Sequence, residues 1–213
     1  RTVVIMNPSL PLSWFDLCLI PRHDGVNEKS GVILTDGALN NILNEKKHIH
    51  RRALIVIGGK SKHIKWNNDY VAKKVDEILK QFPAMRFKIV TSRRTPKDFV
   101  EFLNKSLKTD IPIIEYSKVD KYWFTEEIKL SEHCWVTEDS ISMIYELIAA
   151  GCNVYPISLE NKYSTKISIE ISRLINDGMI STYEYKRKKI QSMKYKNQAQ
   201  HCASFIFNEW FSE

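Results

Sequence analysis

The chain has 213 residues, of which 43% are hydrophobic and 27% charged, and its 32 Lys and Arg against 25 Asp and Glu give a formal net charge of +7. This composition excludes wholesale disorder and suits one large domain, or one domain plus part of another. No apolar run approaches the roughly 18 residues of a membrane-spanning helix. The positive charge favours anionic partners, such as phosphates, nucleic acid or a lipid surface, without choosing among them.

The first fifty residues predict short strands. Three apolar runs have strand length and are bounded by Pro or Gly breakers: Thr2–Met6, Phe15–Ile20 and Val32–Thr35. The basic, polar stretch Lys46–Arg52 is typical of a linker. Because the chain opens in a strand without an initial Met, we treat it as a possible fragment of a longer protein.

From residue 53 onward, strand and helix patterns alternate. Continuous apolar runs suit parallel strands covered on both faces, and they predict strands over Ala53–Ile57, Phe87–Val90, Ile111–Tyr116, Cys134–Thr137 and Val154–Ser158. Helices are predicted from Thr95 with Pro96 in the first turn, from Glu138 to Ala150, and over Asp69–Gln81, Tyr122–Leu130 and Thr165–Ile175. A basic helix with an aromatic end is predicted from Tyr183 to Phe211.

This alternation predicts an α/β fold built on a doubly wound, Rossmann-like parallel sheet with right-handed crossovers. Ligands of such sheets bind where the carboxyl ends of the strands meet. Polar clusters follow the predicted strands at Arg22–Asp24, Gly58–Lys60, Ser92–Arg94 and Thr137–Ser140. We therefore expect these clusters to converge at one edge of the fold.

Gly58 and Gly59, followed by Lys and Ser, resemble the end of a phosphate-binding loop. Leu54 stands where the full G-x-x-x-x-G-K-[ST] pattern needs Gly, so nucleotide hydrolysis of that type is disfavoured. Two interpretations stay open. Either the glycines let backbone N–H groups approach a phosphate, with Lys60 or Lys62 as counter-charge, or they form a tight turn between a strand and a helix.

Ser92, Arg93 and Arg94 stand between a strand end and a predicted helix start. Arginine side chains suit phosphate or carboxylate groups, and a helix N-terminus adds N–H donors. We favour an anion site here over a solvated basic turn.

The segment 137–146 is the richest in polar groups. Asp139 or Ser140 can cap the helix, and Ser142 and Glu146, four residues apart, share one helix face. A carboxylate one to two turns into this helix could accept hydrogen bonds from a ribose diol while the first N–H groups hold phosphate. The alternative is an acid-rich helix start that complements the helix dipole, since two carboxylates there would repel a diphosphate.

His23, beside Asp24, is the best candidate for a general acid or base, because the ordinary pKa of His lies near neutrality. A structural turn is the alternative. The four Cys residues are far apart and are interpreted as reduced thiols, with Cys18, Cys134 and Cys152 in the core, and no spacing predicts a metal site. The basic run Lys186–Lys189 is interpreted as a solvated helix face rather than a membrane or nucleic-acid contact.

Five motifs, taken in order, resemble one protein family. They are Phe-Asp-Leu-x-x-x-Pro-Arg-His-Asp (15–24), Thr-x-Gly-Ala-Leu-Asn (35–40), Ile-Gly-Gly-x-Ser (57–61), Thr-Ser-Arg-Arg-Thr (91–95) and Val-Thr-Glu-Asp-Ser-x-Ser-Met-x-x-Glu (136–146). The set is similar to the mitochondrial-fission elongated-mitochondria (ELM) family and its bacterial relatives, often labelled nucleoside-diphosphate-sugar epimerases. The resemblance implies the GT-B architecture, with residues 1–50 the remnant of an N-terminal Rossmann-like domain and linker. Residues 51–182 would then form a C-terminal nucleotide-sugar-binding domain, and 183–213 a helix that crosses back.

Residues 140–146 also resemble the donor-binding helix of the peptidoglycan N-acetylglucosaminyltransferase. The resemblance implies that Glu146 holds the ribose, that Arg93 and Arg94 neutralise the leaving phosphate, and that His23 or Asp24 is the acceptor base. The implied donor site comprises Gly58, Gly59, Lys60, Ser92, Arg93, Arg94, Thr137, Asp139, Ser140, Ser142, Met143 and Glu146.

The resemblance implies a nucleotide-sugar-binding enzyme, either a glycosyltransferase or a nucleoside-diphosphate-sugar epimerase. We expect a nucleoside-diphosphate sugar as substrate, an unknown acceptor, no tightly bound cofactor and no nucleic-acid partner. The expected location is the cytoplasm, with peripheral membrane contact as an option. The alternative function is a non-enzymatic adaptor, because the plant members resemble scaffolds that recruit dynamin-related proteins.

Overall fold

The computed structural model describes residues 1–61, 64–107, 110–120, 122–159, 166–182 and 195–211. Its strands are β1 (Val3–Ile5), β2 (Leu17–Pro21), β3 (Val32–Thr35), β4 (Ile49–Val56), β5 (Arg86–Val90), β6 (Ile113–Ile114), β7 (Ser131–Thr137) and β8 (Asn153–Ile157). Its helices are α1 (Asn68–Gln81), α2 (Phe99–Ser106), α3 (Trp123–Leu130), α4 (Ile141–Ala149), α5 (Lys166–Asn176) and α6 (Gln198–Phe211).

The strands form two separate sheets. A three-stranded sheet has the order β1-β2-β3, and a five-stranded sheet has the order β6-β5-β4-β7-β8. All neighbouring strands in both sheets pair in parallel. The predicted α/β, doubly wound parallel architecture is therefore confirmed.

The central strand β4 is buried on both faces of its sheet. Leu54 and Val56 lie in one hydrophobic cluster, which includes the inward residues of α4. Ala53 and Ile55 point the other way, into a second cluster under α1 and α2. Parallel strands covered by helices on both sides need this continuous apolarity, which explains why the run was visible in the sequence.

Helix α6 returns to the three-stranded sheet. Cys202 is buried against Leu17 and Leu19 of β2, and Trp210 packs on the same cluster. The guanidinium of Arg1 donates to the carbonyl oxygen of Trp210 at 3.3 Å, so both ends of the described chain meet on this sheet.

Several predicted boundaries differ from the structure. Strand β4 begins at Ile49, inside the predicted linker, and continues through a register shift at which Arg51 has a φ of 62°. Strand β6 spans only two residues. Residues Lys62, Thr165 and 183–194, the last including the basic run, lie outside the described residues.

The predicted start of α2 at Thr95 is wrong, because the helix begins at Phe99. The Thr95 hydroxyl does not cap it and instead donates to the carbonyl oxygen of Gly58 at 2.5 Å. A tertiary hydrogen bond has taken the place of the expected cap. Among the described residues, no helix is long and apolar enough to cross a bilayer.

Candidate functional site

Polar segments from three strands meet at the carboxyl edge of the five-stranded sheet, called here the site edge (58–60, 92–95 and 137–142). The switch point of the sheet lies between β4 and β7, because the chain moves from β4 to β5 on one side and returns to β7 on the other. An ion pair of 2.7 Å joins Arg94 Nη2 to Asp139 Oδ2 across this point. The predicted convergence is confirmed for these three clusters.

The glycine turn after β4 is held by hydrogen bonds inside the protein. The N–H of Gly58 donates to Thr137 Oγ1 at 2.7 Å, and that of Gly59 donates to Asp139 Oδ2 at 3.0 Å. A Cβ at Gly58 would collide with the Asp139 carboxylate, and one at Gly59 with the Arg94 carbonyl. The structure favours the tight-turn interpretation for these glycines, because their N–H groups are already used.

The turn after β5 leaves one arginine available. Ser92 N–H donates to Thr95 Oγ1 at 2.8 Å, and Arg94 N–H donates to Ser92 Oγ at 3.2 Å, which fixes the loop. Because Asp139 neutralises Arg94, its charge is not free for a ligand. Arg93 and Lys60 are exposed, and within the described ranges neither has an ion-pair partner. They are the cations that this edge offers to an anion.

A cavity of about 290 Å³ opens beside these residues, at the ends of β5 and β6. Ser92, Arg93 and Tyr116 are among its lining residues. Tyr116 is exposed and belongs to a short 3₁₀ helix, Tyr116–Lys118, that follows β6. Sequence analysis did not identify Tyr116, because an exposed Tyr after a two-residue strand carries no local signal.

Helix α4 starts without a side-chain cap. Ser140 occupies the N-cap position, but its side chain makes no capping hydrogen bond. Asp139 turns to Gly59 and Arg94 instead. Glu138 Oε1 accepts the backbone N–H of Leu159 at 2.8 Å. Both acidic residues before α4 are therefore held by the protein, which lessens the repulsion expected towards a diphosphate.

Glu146 lies on α4, one turn after the exposed Ser142. Its side chain is half-buried, and no hydrogen bond or ion pair is found for its carboxylate within the described part of the chain. Burial raises the pKa of Glu146. A partly desolvated carboxylate without a partner is costly, which marks it as a candidate ligand-binding group. Met143, by contrast, packs against the hydrophobic cluster around α4.

His23 and Asp24 come from the other sheet and meet α4 rather than the site edge. They lie in a short 3₁₀ helix after β2, which Gly25 closes with a φ of 76°. The His23 ring stacks on Tyr145 of α4, with 6.2 Å between centroids and planes 22° apart. His23 Nε2 is 3.9 Å from Asp24 Oδ1, and the buried Nδ1 has no partner among the described residues.

A polar network around Tyr145 was not found from the sequence. The Tyr145 hydroxyl donates to Glu170, and Arg173 Nη2 donates to that hydroxyl at 2.8 Å. Arg173 also lies 3.5 Å from Asp36, the residue that follows β3. No local spacing could reveal this set, because its members come from three distant segments.

Comparison with known proteins gives the same architecture. A protein of Rickettsia prowazekii (strain Madrid E), described as "Uncharacterized protein RP120", is 24% identical over 255 residues, which cover 97% of this chain and 72% of the relative. A crystal structure from Listeria monocytogenes, of a protein assigned as a UDP-N-acetylglucosamine 2-epimerase, superposes with a TM-score of 0.57 at 13% identity. The match covers 93% of this chain, which spans only 60% of that structure. The shared fold is α/β, Rossmann-like and of the GT-B type.

The sequence profile described as "Mitochondrial fission ELM1" matches residues 1–210. This match includes all five motifs on which the resemblance depended. The chain therefore belongs to the mitochondrial fission ELM1 family.

Proposed function

We propose that this chain binds a nucleoside-diphosphate sugar at the site edge and belongs to a glycosyltransferase-type enzyme. The observation that carries the proposal is Glu146, a half-buried carboxylate without a partner in the described chain, on the helix that follows the switch point. A ribose diol would supply the two hydroxyl donors that this carboxylate lacks.

The diphosphate would lie at the start of α4. The first N–H groups of a helix carry partial positive charge, and here the side chain of the N-cap residue, Ser140, does not cap them. Arg93 and Lys60 would add positive charge from the two neighbouring turns. This positive charge would stabilise the negative charge that develops on a leaving diphosphate. Arg94 would act indirectly, by neutralising Asp139.

His23 would act as the base that takes the proton of the acceptor hydroxyl. In glycosyl transfer the acceptor oxygen bonds to the anomeric carbon, its proton passes to a base, and the nucleoside diphosphate leaves with the bonding electrons. An orphaned buried nitrogen is tolerated better as an acceptor than as an N–H donor, so we assign the His23 proton to Nε2, facing Asp24. Nδ1 is then the basic atom. The protein encloses this atom, so the segments that cover it must move before an acceptor reaches it.

Epimerisation is the second candidate function, favoured by the fold shared with the Listeria protein. It would use the same donor site, but it needs no acceptor hydroxyl. Product analysis separates the two reactions, because a transferase releases nucleoside diphosphate only when an acceptor is present. An epimerase changes the sugar without that requirement.

The test is a thermal-shift panel with UDP-, GDP-, ADP- and CMP-sugars and the free nucleotides. A ligand at about 100 times its Kd adds about 2.7 kcal/mol to the free energy of unfolding, which raises Tm by several degrees in a protein of this size. We expect one nucleotide to raise Tm, and Glu146→Ala to abolish that rise. The matched control is Glu101→Ala, which removes an exposed carboxylate on α2 and should leave the rise intact.

Two results would contradict the proposal. One is a nucleotide-dependent rise in Tm that Glu146→Ala leaves unchanged, which would place the ligand elsewhere. The other is the absence of any rise, both with this chain and with the full-length protein. That second result would favour an adaptor that has kept the fold without the chemistry.

A further inference from the structure

One face of α5 connects the two sheets. Lys166, Glu170 and Arg173 are spaced four and three residues apart, so they share a face of the helix. Lys166 Nζ donates to the carbonyl oxygen of Asp24 at 3.4 Å, and Arg173 Nη2 lies 3.5 Å from Asp36 Oδ1. Through this face, α5 holds the ends of β2 and β3 beside α4.

Tyr145 lies at the centre of this contact and is fully buried. Its hydroxyl donates to Glu170 and accepts from Arg173, so both hydrogen-bonding roles of the oxygen are filled. Its ring stacks with His23, and it lies so close to Gly37 that a Cβ there would collide with ring carbons. One side chain of α4 therefore touches two segments of the other sheet.

Neighbouring groups determine the protonation of Glu170 and Tyr145. Burial would raise the pKa of Glu170, but hydrogen bonds from Arg173 and Tyr145 outweigh it and lower that pKa. Burial, together with Glu170, raises the pKa of Tyr145 above its ordinary value. Tyr145 stays a neutral donor to a charged Glu170, and its ring cannot turn out of place without breaking both bonds.

His23 needs such a support. Among the described residues its imidazole has one ion-pair contact, with Asp24 at 3.9 Å, its other nitrogen has no hydrogen bond, and Glu170 interacts with it only through its charge. A contact of 3.9 Å is too long to fix a ring by hydrogen bonding. The orientation of the imidazole therefore depends on packing, and the Tyr145 ring is the aromatic surface against it.

We propose that Tyr145 is a positioning residue for His23: anchored by Glu170 and Arg173, its ring sets the orientation and tautomer of the imidazole and brings it beside the donor helix. Glu146 is the next residue on that helix, so α4 carries both the anchor of the candidate base and the candidate ribose ligand. The role of His23 as a base rests on the proposed function. The positioning of its ring by Tyr145 is a property of the ligand-free protein.

The test uses nitrogen-15 correlation spectra of the histidine rings, recorded without ligand at a pH well above the ordinary His pKa. His23→Gln assigns the His23 signals among the six His residues. In the parent we expect a single tautomer with the proton on Nε2. Tyr145→Leu removes the ring and should give His23 the mixed-tautomer shifts of a free imidazole. Tyr145→Phe keeps the ring without its anchor and should give intermediate shifts.

Tyr155→Phe is the matched control, because the Tyr155 hydroxyl is bonded to another imidazole, His133 Nδ1, at 3.1 Å. It should change the His133 signals and leave those of His23 unchanged. His23 shifts that stay the same in both Tyr145 variants would overturn the proposal, as would an equal change in Tyr155→Phe. If the Tyr145 variants do not fold, Glu170→Gln and Arg173→Lys replace them under the same criteria.

The outcome is independent of the nucleotide panel. If His23 responds to Tyr145 while no nucleotide sugar binds, the positioning holds and the proposed reaction fails. If a nucleotide binds through Glu146 while His23 is indifferent to Tyr145, the donor site holds and the positioning fails.

Discussion

The half-buried carboxylate of Glu146 lowers the free energy of unfolding of the ligand-free protein, and the pH dependence of unfolding should reveal this effect. Burial raises the pKa of this carboxyl above its ordinary value of 4.5, so the folded state binds the proton more tightly than the unfolded chain does. Ionisation of Glu146 therefore favours unfolding, and the free energy of unfolding loses this contribution as the pH rises through the raised pKa. A group kept at such a cost is typical of a binding site.

We expect Glu146→Gln to have a higher Tm than the parent at neutral pH, because Gln cannot ionise. The difference should shrink to nothing below the ordinary pKa of 4.5, where the parent carboxyl is protonated in both states. Thermal unfolding across a pH series measures this, with each kcal/mol moving Tm by about 2–4 °C. Glu101→Gln, on an exposed face, is the control. An equal or lower Tm for Glu146→Gln at neutral pH would show that the carboxylate has a stabilising partner.

Single residues also show where sequence-based inference ends. Glu146 and His23 were predicted as site residues because a carboxylate at helical spacing and a His beside an Asp have recognisable local chemistry. Tyr145 was missed, because within α4 it resembles any aromatic residue of an apolar face. Its partners Glu170 and Arg173 are 25 and 28 residues downstream, and no local pattern specifies such pairs.

At the level of elements, α3 is fastened to the five-stranded sheet by a buried ion cluster. Glu127 of α3 is 5% exposed and accepts from Arg52 of β4 at 2.8 Å. Its second oxygen accepts from Lys88 of β5 at 2.8 Å. A single carboxylate thus pairs with one cation from each of two strands. Its removal takes the negative charge away from both cations.

We expect Glu127→Gln to lower the free energy of unfolding by about 3 kcal/mol, the lower end of the range for a broken buried pair, since both cations remain partly exposed to water. Glu126→Gln is the control: its side chain is 67% exposed and loses only a surface contact with Lys129. That change should cost no more than about 1 kcal/mol. Urea denaturation of both variants measures the difference, and equal midpoints would contradict the role of Glu127.

Elements differed in how well the sequence predicted them. Strand β4 was evident, because burial on both faces leaves a run of apolar residues that few other structures need. The start of α2 was misplaced, because Thr95 and Pro96 carry the signals of a helix start. The Thr95 hydroxyl instead bonds the carbonyl of Gly58, 37 residues away. A turn that belongs to the site edge has overridden the local propensity.

At the scale of the molecule, the three-stranded sheet depends on α6 for one of its covers. Cys202 is 1% exposed beneath this helix, and burial raises the pKa of its thiol, which lowers its reactivity. Cys134 and Cys152 are buried in the hydrophobic cluster of the five-stranded sheet and report on that sheet independently. The thiols therefore distinguish detachment of the helix from unfolding of the whole chain.

We expect Trp210→Ala to make Cys202 accessible to an alkylating reagent while Cys134 and Cys152 stay protected, because the Trp210 ring packs in the same cluster as Cys202. Phe207→Ala is the control on the same helix, since its ring is 62% exposed. Mass spectrometry of the alkylated peptides gives the rate at each Cys. Simultaneous labelling of all of them in Trp210→Ala would mean that the two sheets unfold as one unit.

The contact between α6 and β2 also has a consequence for biosynthesis. A ribosome makes the chain from its N-terminus, so Leu17 and Leu19 emerge long before Cys202 and Trp210, which cover them. Until α6 is made, this face of the three-stranded sheet stays open, while the five-stranded sheet acquires all its strands. A nascent chain with an uncovered apolar face is exposed to aggregation. Within this chain the three-stranded sheet is translated before the five-stranded sheet but is covered by α6 only after it, and this interval is where a chaperone would be most needed.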